Sequence, residues 1–136
     1  MAKIKRIHHV AVVVEDFDQS LTFWRDVLGL EVNHFEEVQE QEVIVGFLPV
    51  GESEVELVSP TTSDSGIARF LEKRGPGMHH ICFEVDDIEA ILDELKQNNI
   101  KLINGTPVAD NGGKKYAFIH PESTHGLLIE LYEILN

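Results

Sequence analysis

The feature that most constrains this chain is that it is written twice. The run His9-Val10-Ala11-Val12-Val13-Val14-Glu15-Asp16 returns as His80-Ile81-Cys82-Phe83-Glu84-Val85-Asp86-Asp87, with the histidines and the closing aspartates both offset by 71 residues. Each run is apolar and rich in β-branched residues, as a strand requires, and each ends in an acidic pair suited to capping a helix. Helical spacing comes next both times, through Phe17, Leu21, Trp24 and Leu28 to Gly29, and through Ile88, Ile91, Leu92 and Leu95 to Asn98-Asn99. Further strands are predicted over 42–48 and 54–58 in the first half and over 115–119 and 127–132 in the second. Val55-Glu56-Leu57-Val58 matches Ile129-Glu130-Leu131-Tyr132 at an offset of 74, a shift that different loop lengths absorb. The pattern predicts an α+β fold of two tandem β-α-β-β-β units. The halves span about 5–60 and 78–134 of a single domain over 1–136, and a linker helix at about 61–77 puts Ile67, Phe70 and Leu71 on one stripe.

Composition narrows the classes of function. With 43% hydrophobic and 26% charged residues, the chain has the balance of a soluble globular domain. No apolar run approaches the roughly 20 residues of a membrane helix, and Met1-Ala2-Lys3-Ile4-Lys5-Arg6 leads into histidines instead of an apolar signal core. A cytoplasmic address and no membrane partner are expected. The net charge of −13 argues against nucleic acid, whose binding draws on clustered cations. Arg69, Lys73, Arg74, Lys114 and Lys115 could meet an anionic small ligand, although solvated surface charge is the commoner role. Cys82, the single cysteine, sits in an apolar run and is expected to be a buried, inert thiol.

Strand alternation sorts the side chains by face. Val10, Val12 and Val14, like Ile81, Phe83 and Val85, belong beneath the helices, which sends His9 and His80 to the other face. Val55 with Leu57, and Ile129 with Leu131, likewise send Glu56 and Glu130 there. Two imidazoles and two carboxylates on one face form a ligand set that suits Zn, Co, Ni or Mn. A single histidine at a strand start is usually structural, and a single strand glutamate usually faces solvent. Neither habit explains why the same types recur in register in both halves. His9, Glu56, His80 and Glu130 are therefore the expected ligands of one divalent metal ion. His8 and His79 lie in the helix-side phase and are expected to be structural or to support the ligands. His34, His120 and His125 have no repeat partners and are assigned to surface or loop roles.

The openings His8-His9-Val10-Ala11 and His79-His80-Ile81-Cys82, with the paired units, resemble the vicinal oxygen chelate superfamily, which includes glyoxalase I. Glu56-Leu57-Val58-Ser59-Pro60, the linker into Gly77-Met78-His79-His80-Ile81, and Phe118-Ile119-His120-Pro121 followed by Gly126-Leu127-Leu128-Ile129-Glu130-Leu131 resemble the methylmalonyl-CoA epimerases within it. The resemblance implies a fold wrapped around a metal-binding cup, the four ligands named above, an acyl-CoA thioester substrate and a homodimer. It also implies epimerisation through a metal-stabilised enolate, with Glu130 and Glu56 as proton carriers. Some relatives of this kind take a base from the strand before Glu56, where Val43-Ile44-Val45-Gly46 offers no carboxylate. Glyoxalase I, acting on the methylglyoxal–glutathione hemithioacetal, and a non-catalytic binding module remain the alternatives.

Overall fold

The structure, a computed structural model, describes residues 2–110 and 112–135. Met1, Asn111 and Asn136, which fall within the domain expected over 1–136, lie outside the described residues. The elements run β1 (Ile4–Val13), α1 (Phe17–Leu21), β2 (His34–Val38), β3 (Val43–Val50), β4 (Ser53–Pro60), α2 (Gly66–Arg74), β5 (Gly77–Val85), α3 (Ile88–Gln97), β6 (Val108–Ala109), β7 (Lys114–Ile119) and β8 (Leu128–Ile134). The order β-α-β-β-β thus occurs twice, with α2 between. The strands expected over 42–48, 54–58, 115–119 and 127–132 appear as β3, β4, β7 and β8. Strands β2 and β6, which complete each unit, have no clear signature in the sequence. β6 has only two residues, and β2 carries a run of exposed side chains without an apolar alternation.

The chain divides into two compact units, residues 10–79 and residues 1–9 with 80–136, so β1 contributes to both. In the unit of residues 10–79 the strand order is β2-β3-β4-β1. The first two ladders are antiparallel, with Phe47 opposite Glu56 and Val45 opposite Val58. Val14, Leu21, Leu48 and Leu57 form a buried cluster with Val12, Phe17, Trp24 and Val55, which is the face beneath α1. On the opposite face Ala11, Val43, Val45 and Val58 are buried with Phe47 and with Ile67 of the linker helix. Alternation marks that face by its polar residues, but α2 covers its apolar part.

Asp16 caps α1 by accepting from Asp18 N at 2.9 Å, as the acidic pair suggested. The helix then departs from the expected regular spacing. Over Thr22–Val27 it widens into a π-helical turn, in which Leu28 N donates to Phe23 O, and beyond it Leu30 N donates back to Trp24 O. The wider turn rotates the residues after it, so Leu28 is exposed instead of joining Phe17, Leu21 and Trp24 in the core. Gly29, at φ +83°, ends the segment in a conformation that favours glycine.

In the unit of residues 1–9 and 80–136 the order is β1-β5-β8-β7-β6. β5 and β8 run parallel, with Cys82 opposite Glu130, while β7 and β8 run antiparallel. Val85, Ile88, Leu92, Ala117, Ile119 and Leu131 form the core, joined by Phe83, Ile91, Leu95 and Ile129. Asp87 caps α3 through Ala90 N, and Glu133 of β8 accepts from Ile88 N at the same helix start. Beside it, Lys3 N donates to Asp86 Oδ1, and Asp86 N donates to Lys3 O, which ties the beginning of β1 to the end of β5. Glu84 is buried and receives Arg6 Nε at 2.7 Å and Lys5 Nζ at 3.2 Å.

Candidate metal centre

Three of the four expected ligands lie in the unit of residues 1–9 and 80–136, and strand pairing brings them together. His80 on β5 is opposite Leu128, and Glu130 on β8 is opposite Cys82, so His80 and Glu130 are diagonal neighbours on one face. That is the face opposite Ile129 and Leu131, as alternation required. β1, next to β5, adds His9. His9 Nε2 lies 3.2 Å from His80 Nε2 and 3.3 Å from Glu130 Oε1, and His80 Nε2 lies 3.1 Å from the same oxygen. His9 and Glu130 are buried, and His80 is half-buried.

Such a triangle is informative because its three vertices are all electron-pair donors. Bare imidazole nitrogens and a carboxylate oxygen repel one another unless a proton or a cation lies among them. Neighbouring ligands of an ion with bonds of about 2.0–2.2 Å lie about 3.0–3.5 Å apart, so the three edges fit a divalent ion. The residues present therefore suit a metal. Burial alone would raise the Glu130 carboxyl, but its hydrogen-bonding and electrostatic contacts with His80 and His9 outweigh it and hold the group at about 2. Glu130 is accordingly an anion at neutral pH.

Two surrounding groups shape the site. Phe118 is directly across from Glu130 on β7, and its ring meets the His80 ring edge-on at 5.7 Å. On the other side, His8 Nδ1 lies 2.8 Å from His9 Nδ1, with the His8 ring edge-on to Tyr132. Burial, and then the neighbouring His9, Arg6 and Lys114, push His8 down to about 4. It is a neutral ring at ordinary pH.

Glu56, the fourth expected ligand, lies on β4 in the unit of residues 10–79, half-buried and opposite Phe47. The carboxylates that precede it are not on β3. Glu40 lies in the short 3-10 turn Gln39–Gln41, and Glu42 comes next at φ +57°, where Thr62 Oγ1 donates to it. Of the other histidines, His79 meets the Phe70 ring, and His120 accepts from Glu122 N in a loop. His125 occupies a turn at φ +63°, and His34 stacks on Phe47 from strand β2 at 4.4 Å. Cys82 is fully buried, as expected. Among the basic residues, Arg69 donates to Asp64 O, Arg74 lies over Phe70, Lys114 lies over Tyr132, and Lys115 pairs with Glu89.

Residues 8–118 match the family described as the Glyoxalase/Bleomycin resistance protein/Dioxygenase superfamily. The chain belongs to this superfamily. The matched span holds His9, Glu56 and His80, and similarity to individual proteins extends past Glu130. A mitochondrial methylmalonyl-CoA epimerase of Mus musculus is 40% identical over 130 residues, covering 95% of this chain and 73% of that protein. An ethylmalonyl-CoA/methylmalonyl-CoA epimerase of Cereibacter sphaeroides is 37% identical, covering 96% of this chain and 99% of that one. A solved methylmalonyl-CoA epimerase in complex with methylmalonyl-CoA and NH4+ superposes with a TM-score of 0.86 at 31% identity, covering 97% of this chain and 96% of that one. The glyoxalase-like vicinal oxygen chelate fold that the resemblance implied is the fold of this superfamily member.

The phenylalanines paired with the two carboxylates, and the contact of His8 with His9, were not among the expected site features. The aromatic residue across from each carboxylate, Phe47 for Glu56 and Phe118 for Glu130, recurs at the same offset of 71 as the histidines, so its signal was present. The contact of His8 with His9 had no such signal. Strand neighbours are expected on opposite faces, and only the placed rings show their nitrogens meeting.

Proposed function

We propose that the chain is a metal-dependent epimerase that interconverts the (R) and (S) forms of methylmalonyl-CoA. The observation that carries this reading is the convergence of His9 Nε2, His80 Nε2 and Glu130 Oε1 within 3.1–3.3 Å. It occurs in a chain whose similar proteins include named methylmalonyl-CoA epimerases. His9, His80 and Glu130 would hold the ion. Glu56 is proposed as the fourth ligand because it is the repeat counterpart of Glu130, on the corresponding strand and across from the corresponding phenylalanine. A divalent ion there would supply Lewis-acid stabilisation of the negative charge that develops as the α-proton leaves.

The remaining chemistry falls to the chain. The α-carbon of methylmalonyl-CoA lies between a thioester and a carboxylate, and inversion removes its proton from one face and returns one to the other. Glu130 is assigned the first transfer, because it is ionised and its two imidazole contacts are both made through Oε1. That division assigns Oε2 to the proton. Phe118 and the buried flank of β8 keep the carboxylate out of bulk water, which strengthens its interactions with charge. Returning a proton to the opposite face requires a second carrier, and the repeat makes Glu56 the candidate. The protein is proposed to work in the cytoplasm as a homodimer. A monomeric mass by light scattering at micromolar concentration would speak against the dimer.

The deciding experiment incubates the metal-loaded protein with methylmalonyl-CoA in D2O. Deuterium at the α-carbon, together with loss of stereochemical purity, is the expected result. Absence of exchange, with turnover of the methylglyoxal–glutathione hemithioacetal instead, would make the chain a glyoxalase. Absence of both would leave a binding module.

A further inference from the structure

We propose that His8 is a positioning residue whose Nδ1 accepts the Nδ1–H of His9 and thereby fixes the ring that presents Nε2 to the metal site. This inference rests on the ligand role proposed for His9. An imidazole that gives its Nε2 lone pair to a cation keeps its only proton on Nδ1. That proton needs an acceptor, since His9 is only 6% exposed and an unmet donor in such a place is costly. The atom 2.8 Å from His9 Nδ1 is His8 Nδ1. Both nitrogens cannot donate, so the cation decides the direction: His9 gives and His8 accepts, with the proton of His8 on Nε2.

Metal-bound histidines generally lean on a carboxylate, a backbone carbonyl or a water through their second nitrogen, and losing that partner costs about 10–100-fold in metal affinity. Here the partner is a neighbouring imidazole. Its own ring packs in a T-shaped arrangement with Tyr132 at a centroid separation of 4.9 Å, and Lys114 lies over the ring of that tyrosine. A neutral acceptor also differs from a carboxylate in consequence. It orients the ligand without adding a further negative charge beside Glu130, in a chain that already carries −13.

The test uses the Zn2+-loaded protein labelled with 15N in its histidines. A scalar coupling between His9 Nδ1 and His8 Nδ1, with the shared proton shifted downfield, is expected. Zn2+ affinity should fall about 10–100-fold in His8→Leu, which keeps the bulk but no acceptor, and return to within about threefold in His8→Asn, whose Oδ1 can stand in for Nδ1. Far-UV circular dichroism checks that both variants fold, and the wild-type spectrum decides the matter if they do not. Full affinity in His8→Leu overturns the proposal, and so does an equal loss in both variants, which would make His8 a packing residue only. Zn2+ binding without the coupling overturns this inference alone. A wild-type protein that holds no Zn2+ overturns the ligand reading of His9 as well.

Discussion

Phe118 lies directly across from Glu130 in the β7–β8 ladder, and the same rung geometry sets Phe47 across from Glu56 in the β3–β4 ladder. Residues opposed in an antiparallel ladder share a face, so each acidic side chain has an aromatic wall on one flank. A carboxylate beside such a wall loses hydration and depends on whatever positive charge is near. For Glu130 the partners are His9 and His80, whose Nε2 atoms lie 3.3 and 3.1 Å from Oε1, and the carboxyl is held at about 2 although it is buried. Each role the residue could play can be separated by substitution.

Replacing Glu130 with Gln retains the shape and an oxygen that can reach a cation but removes the group that takes a proton. Metal content should remain substantial and the thioester should still bind, while exchange of the substrate α-proton falls by about 10²-fold or more. Exchange in D2O and metal analysis on the same sample check this. Near-normal exchange would make Glu130 a ligand only. Glu56→Gln should be comparably severe if the two carboxylates serve opposite faces of the substrate.

His80→Ala removes one vertex of the triangle. Tight metal binding should be lost, and the gain in melting temperature on adding metal to the wild type should vanish in the variant. Elemental analysis after dialysis and thermal melts with and without metal are the measurements. Unchanged metal content would sink the assignment.

The two apolar stripes make opposite forecasts for leucine. Leu92 is 1% exposed in the core beneath α3, so Leu92→Ala should cost about 2–5 kcal/mol in urea unfolding. Leu28 sits at an equally helical spacing in the sequence but is 53% exposed after the π-helical turn. Leu28→Ala should cost less than about 0.5 kcal/mol. Equal losses would mean that Leu28 packs in the core after all.

Glu84 is buried on β5 and holds Arg6 and Lys5 of β1. Those hydrogen bonds and charges outweigh its burial and keep the carboxyl below the usual range. Glu84→Ala leaves Arg6 without its partner and should lower stability by about 2 kcal/mol, the scale of a charged hydrogen bond. A denaturation midpoint equal to that of the wild type would contradict this.

Acid should weaken the metal-free protein partly through His8. In the unfolded chain this histidine takes up a proton near its ordinary value of 6.5, whereas in the fold it does so only at about 4. Between those values the unfolded state binds more protons, so stability falls as the pH drops from about 6.5 to about 4 and the penalty is complete below that. His8→Asn should flatten this part of the stability profile by up to one proton. Melting temperatures from pH 8 to pH 4 would show it, and parallel profiles for the two proteins would contradict it.

Much of this protein is determined within short stretches of chain. Alternation along 9–14 and 80–85 placed Val12, Val14, Phe83 and Val85 beneath helices, and Asp16 and Asp87 cap the helices they precede. Glu130 could be assigned to the face of His80 because a period of two leaves only one choice once Ile129 and Leu131 face the core. The repeat supplied what single residues lacked, since a ligand type that returns in register does so for a shared reason.

Tertiary structure decided what depends on non-local pairing. The grouping of residues 1–9 with 80–136 arises from β1 lying next to β5, and nothing in either run names its partner. β2 and β6 exist because β3 and β7 offer them ladder hydrogen bonds, not because their own residues favour a strand. The π-helical turn and the burial of Ala11, Val45 and Val58 against Ile67 are outcomes of packing, which overrides spacing. The contact between His8 and His9 belongs with these. Two adjacent letters state only that both residues are imidazoles, and the ring orientations that bring one nitrogen within 2.8 Å of the other are set by everything packed around them.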